Sequence, residues 1–141
     1  MPSPLAELSR DECLELLADG VIGRVVVPIG ASRRPVIRPV NYAFDPSSQS
    51  VVFRSASGSK LHALLHAEEA SFEVDAFDPD NRTGWSVIIQ GVTEPVTAPT
   101  EVRRLEGLTL YSWLTGTTGQ LIRIRARTVS GRRIAAGCVG L

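Results

Sequence analysis

At 141 residues and 43% hydrophobic composition, the chain is long enough to bury a core and short enough to be one domain, 1–141. Fifteen Lys plus Arg balance fifteen Asp plus Glu, so no net field draws it onto nucleic acid or an anionic membrane surface, and any anion must be held locally. Cys13 and Cys138 show neither metal-ligand spacing nor a disulfide framework, no basic-then-apolar leader precedes Asp11 and Glu12, and no apolar run approaches the roughly 20 residues of a membrane span. The expectation is a soluble cytoplasmic protein.

Ser9 followed three residues later by Glu12 is a capping box and announces a short helix. Cys13, Leu16 and Leu17 share one face of it, which makes Cys13 a core residue, and Gly20 is placed to close the helix in a left-handed conformation. From Val21 the period changes. VIGRVVVPIG and PVIRPVNYAF are β-branched runs separated by a polar turn, a hairpin pattern; after the dense turn signal DPSSQS, SVVFRS is a third strand, and the three suggest a meander.

KLHALLHAEE returns to helical spacing, with Leu61, Leu64 and Leu65 on one side. SFEVDAF then alternates strictly, a half-buried strand, and GWSVIIQGVTEPVT continues the sheet, its Gly91 marking a bulge or a close backbone approach. Pro99 and Thr100 open a short amphipathic helix through about Glu106, and YSWLTGTTG reads as a loop with aromatic anchors. LIRIRAR is the last strand that alternation defines: Ile122, Ile124 and Ala126 face one way, Arg123, Arg125 and Arg127 the other, a like-charged ladder that needs acids opposite, with Glu73 and Asp75 as candidates. Strands outnumber helices about two to one, which favours a β-barrel carrying small helices over a doubly wound sheet.

The stretch FRSASGSK, Phe53 to Lys60, is the most informative. A strand ends in Arg54 and Ser55, a small-residue turn carries Gly58, and Ser59 and Lys60 start a helix. Hydroxyls, a guanidinium, an ammonium and the free N–H groups of a helix start converge there, which suits a phosphate. It is not a P-loop, because the first glycine and the four-residue spacer are missing. Arg54 and Lys60 could equally be surface charges.

GVIGRVVV, PVIRPVNYAFD, VVFRSASGSKLHALL, FEVDAFD and GWSVIIQGVTEPV together resemble the FMN-binding split-barrel superfamily that includes pyridoxamine 5'-phosphate oxidase, in the branch of the nitroimidazole-resistance flavoproteins, with RTVSGRRI resembling the closing strand. The resemblance implies a mainly β, six- to seven-stranded antiparallel split β-barrel with short helices, forming a homodimer with FMN across the interface. It implies Pro39, Val40, Asn41 and Tyr42 near the flavin ring, Phe53, Arg54 and Ser55 at the ring edge and ribityl chain, and Gly58, Ser59 and Lys60 on the phosphate. Trp85 and Gln90 would approach from the fifth strand of the family, from the same or the partner subunit. Tyr42 and Phe44 also suit ordinary barrel core, and Trp85 a dimer anchor.

His62 and His66 have the spacing that lets two imidazoles reach one metal, but no third ligand accompanies them. No Ser-His-Asp relay, carboxylate pair or nucleophilic cysteine stands out, so any hard chemistry belongs to the cofactor. The leading expectation is an FMN-dependent oxidoreductase acting on a small substrate. Pyridoxamine-phosphate oxidation itself is not expected, because GRRIAAGCVGL lacks the longer substrate-binding tail the resemblance would require. Two alternatives stand beside it: a reductase of the same fold using the deazaflavin F420, and a non-catalytic flavin- or haem-binding protein with His62 or His66 as an axial ligand.

Overall fold

The computed structural model describes residues 5–28, 34–56, 65, 69–108 and 119–135. A short strand β1 (Leu5–Glu7) leads into helix α1 (Arg10–Asp19), followed by β2 (Ile22–Val27), β3 (Val36–Asn41), β4 (Ala43–Asp45) and β5 (Ser50–Ser55). Then come β6 (Glu69–Asp78), β7 (Thr83–Val96), helix α2 (Pro99–Glu106), β8 (Gln120–Arg125) and β9 (Thr128–Ile134). The expected helix over KLHALLHAEE lies outside the described residues except for a buried Leu65 and for Glu69, which opens β6 instead of ending a helix; the YSWLTGTT loop and Cys138 also lie outside them.

The capping box forms: the Glu12 N–H donates to Ser9 Oγ at 3.2 Å and the Ser9 N–H to Glu12 Oε1 at 3.1 Å, satisfying two N–H groups the helix start would leave orphaned. Cys13, Leu14 and Leu17 turn into the core. Gly20 corrects the expectation made for it. Its backbone is extended (φ −82°), not left-handed; glycine is required because a Cβ there would collide with the Tyr42 hydroxyl.

Strand pairing runs β3-β2-β6-β7-β8-β5-β4, with β9 on β7 and β1 on β9, all antiparallel. The two ends of this path, β3 and β4, are consecutive in the chain, so the sheet curls until its first and last strands meet at Tyr42. This is a split β-barrel with two short helices among the described residues. β7 belongs to both halves: Thr83–Val92 pairs with β6, and Thr93–Val96 crosses to β8. Gly91 sits at the crossing, where a Cβ would run into the Arg125 carbonyl oxygen, so the expected close backbone approach is there.

The expected meander forms only in part: the first half of PVIRPVNYAF, β3, pairs with β2, and its second half, β4, pairs with β5. β5 pairs with β4 and β8, not with β3, because PVIRPVNYAF breaks in two at Tyr42. Tyr42 and Ala43 are buried in succession, which strict alternation forbids, and the Tyr42 N–H donates to the Val21 carbonyl at 3.0 Å. That break, together with β1, raises the count to nine strands among the described residues.

Val25, Phe72, Val74 and Ile89 pack against Val51, Phe53, Ile122 and Ile124 inside the barrel, and α1 closes one end. Phe72 anchors the aromatic centre, edge-on to Tyr42 at 5.1 Å between centroids and stacked on Phe53 at 6.1 Å. On the other face of β5 and β8, Leu105 of α2 packs with Ala43, Val52, Val96 and Leu121. Covered on both sides, β5 and β8 are buried along nearly their whole length.

This second layer also revises the arginine ladder. Arg123 is buried beneath α2 and meets Glu101 at 3.2 Å; Arg125 is exposed and meets Glu94 at 3.1 Å; Arg127 lies past the strand end. Glu73 and Asp75 are on β6, away from all three, and bond Arg24 on β2.

Candidate functional site

β3 and β5 approach each other where the barrel closes, and this brings together the residues expected at the ring and the ribityl chain. Alternation divides them. Val40 is half-buried and packs against the core, whereas Pro39 and Asn41 are exposed on the outer face of the sheet. Tyr42 is 2% exposed and its hydroxyl donates to the Leu17 carbonyl at 2.6 Å, so its side chain is core; burial pushes its pKa upward and keeps it protonated. Phe53 is fully buried as well. Tyr42 and Phe53 can meet a ligand only through their backbone.

Arg54 and Ser55 end β5 in different circumstances. The Arg54 side chain points toward α2, where Nη2 bonds Glu106 at 3.0 Å and Nη1 donates to the Gly119 carbonyl at 2.8 Å. Its charge is engaged within the protein, which braces the end of β5. Ser55 is 2% exposed, and its hydroxyl is buried without a hydrogen-bond partner among the described residues. Buried hydroxyls are normally bonded, so an orphaned one at a strand end is a place for a ligand's acceptor. Gly58, Ser59 and Lys60, expected on the phosphate, lie outside the described residues, as do His62 and His66.

Trp85 and Gln90 are not brought together. Five residues apart on a continuous ladder, they face opposite sides of β7: Trp85 packs against the core, and Gln90 is on the outer face. Gln90 donates to Ser71 Oγ and accepts from Thr128 Oγ1, both at 3.2 Å. It shares its face with Pro39 and Asn41 but stands three strands away, about 14 Å at the usual strand spacing.

Two ionic centres went unnoticed in the sequence. Asp45, with no exposed surface, receives both nitrogens of the Arg104 fork at 3.1 and 2.8 Å, together with the Ser48 hydroxyl and the Ser47 N–H; the Arg104 bonds above all hold its pKa down at about 2. On the outer sheet face, Arg24 Nη1 bonds Glu73 at 2.9 Å and Asp75 at 3.1 Å. Burial, reinforced by Asp75 and opposed by Arg24, pushes Glu73 up to about 7. Their i, i+2 spacing on β6 was visible, but their cross-strand cation was not.

The pyridoxamine 5'-phosphate oxidase family model matches residues 9–133, and the chain belongs to that family. An uncharacterized protein of Mycobacterium tuberculosis is 34% identical over 137 residues, covering 94% of this chain and 87% of that one. Among solved structures, the FAD binding protein from Mycobacterium smegmatis superposes with a TM-score of 0.77 at 28% identity, over 92% of this chain and 97% of that chain. A 5-nitroimidazole antibiotic resistance protein from Bacteroides thetaiotaomicron superposes with a TM-score of 0.70 over 92% of this chain and 88% of its own, at 8% identity, which speaks for the fold alone. No described helix is long and apolar enough to cross a membrane.

Proposed function

We propose that the chain is a flavin-binding protein in which two copies share the cofactor, and that it serves as an oxidoreductase for a small substrate. The observation that carries this reading is the buried hydroxyl of Ser55, without a partner among the described residues, in the FRSASGSK stretch. It fits a flavin's ribityl or phosphate oxygens, with Gly58, Ser59 and Lys60 next to it in the chain. Pro39 and Asn41 would line the ring, with backbone groups of Val40, Tyr42 and Phe53 behind it. Arg54 holds the strand end in place from the side of α2.

Gln90 supports the shared arrangement. It cannot reach a ring lying over Pro39 in its own chain, so its part in the site requires a second copy. A bound flavin supplies electron or hydride transfer at its exposed face, and the protein supplies binding and orientation. FMN is the expected form, and the FAD binding protein among the similar structures makes FAD the nearest competitor. A buried free thiol at Cys13 suits the reducing cytoplasm.

The test is an absorption spectrum of the purified protein with mass spectrometry of the chromophore released by heat. Flavin bands with an FMN or FAD mass would establish the cofactor. A protein that is colourless and takes up neither added flavin would refute the proposal, and a deazaflavin or haem mass would replace it.

A further inference from the structure

Register assigns the side chains of the β3-β2-β6-β7-β9 sheet to two faces, and the one turned from the core carries large exposed side chains, although Ile134 at its β9 end is buried. Ile22, Ile37, Ile88 and Phe77 stand on it, 53, 53, 42 and 60% exposed. No described element packs over them. Four alternate rows across five strands span roughly 24 by 20 Å, about 500 Å² before side-chain relief is counted. That is of the order of the ~800 Å² each partner contributes to a stable pair.

The charges on this face are mixed in sign, as a surface that must match itself across a two-fold axis requires: Arg24 and Arg132 against Glu69, Glu73, Asp75 and Glu7. Glu73 is central. Arg24 faces it from β2 and Asp75 from its own strand; from β7 it meets Ile88, with Ser86 and Gln90 diagonal, none of them charged. Two carboxylates therefore share one guanidinium on a partly exposed face, with Ile88 as the apolar neighbour across from Glu73.

We infer that two copies of this chain pair through this face and that the Arg24–Glu73–Asp75 cluster makes the pairing proton-dependent. The inference rests on the paired-copy reading above and adds its control. With one carboxylate protonated the cluster is neutral and can be covered; with both ionised it carries an uncompensated negative charge that covering would strip of water. Glu73 already holds its proton up to about 7 in the single chain. Further loss of water raises that value, so association takes up protons, is strongest below neutrality and weakens as pH rises through it.

The experiment is sedimentation velocity of the flavin-free full chain at about pH 6 and about pH 8, with flavin uptake followed separately on the same samples. The dissociation constant of the pair should rise at least about tenfold between the two, since one proton per copy can contribute up to about a hundredfold for each pH unit. Glu73→Gln should pair at both pH values, and Ile88→Lys should be monomeric at both with an unchanged circular dichroism spectrum. A wild-type pair of constant affinity, or a Glu73→Gln chain that keeps the wild-type pH dependence, would overturn the inference while leaving flavin binding intact. A chain monomeric at both pH values would overturn the inference and the shared site together.

Discussion

The hydroxyl of Tyr42 donates to the carbonyl of Leu17 at 2.6 Å, which ties the residue separating β3 from β4 to the last turn of α1. The Gly20 N–H donates to the same carbonyl at 3.3 Å, so it keeps a partner when the tyrosine hydroxyl is removed. Tyr42→Phe should therefore cost about 1 kcal/mol, a fall in Tm of about 3 °C. Gly20→Ala should cost more, because its Cβ would strike that hydroxyl. Urea unfolding of the two single variants and the double variant would show Tyr42→Phe relieving part of the Gly20→Ala penalty; strict additivity would refute the collision.

Ser55→Ala separates folding from binding. Removing a buried hydroxyl that has no partner among the described residues should leave the flavin-free protein as stable or up to about 1 kcal/mol more stable. Flavin affinity should fall about tenfold or more, since a hydrogen bond to a charged group contributes about 1.5–3 kcal/mol. Lys60→Ala should weaken flavin by a similar factor. Arg54→Ala should lower both stability and affinity, because it frees the end of β5 from Glu106. Fluorescence titration with FMN beside thermal melts of the apo-protein reads both quantities.

Asp45 fastens α2 to β4 and gives stability a pH dependence of definite sign. Its carboxyl sits at about 2 in the folded chain against an ordinary 3.8, so the folded form holds fewer protons between those values. The stabilisation is complete above about 4 and is lost as pH falls through about 2. Asp45→Asn should lower stability at neutral pH by about 2 kcal/mol and flatten the acid limb of a melting profile.

Gly91→Ala should be among the most damaging single substitutions. Its Cβ would meet the Arg125 carbonyl, a backbone atom that cannot turn aside, where β7 passes from β6 to β8. A loss of about 3 kcal/mol or more is expected, measured by chemical denaturation. Tolerance of alanine would mean that the crossing is looser than this packing allows.

The split barrel was legible because its signals are local. Ser9 and Glu12 carry their cap within four residues, and SFEVDAF alternates without interruption. The break at Tyr42 was hidden because both halves of PVIRPVNYAF favour strand, and what divides them is a bond to Leu17 from another element. Burial of Arg123 was equally hidden, since alternation describes one sheet face and says nothing of a helix laid over the other. At the candidate site, Ser55 was readable from its motif; the engagement of Arg54 by Glu106 and Gly119 depends on segments far along the chain.

β1 is opposite β9, with Leu5 across from Ile134, so the first described strand waits for the last. During synthesis the β9 edge of β7 stays open until nearly all the described chain has emerged, and α1 must dock before its flanking strand has a partner. Pairings this remote make folding slow and leave unpaired strand edges exposed to other nascent chains. Truncation within β9 should therefore release protein that is prone to aggregate even though every residue of the candidate cofactor site has been made.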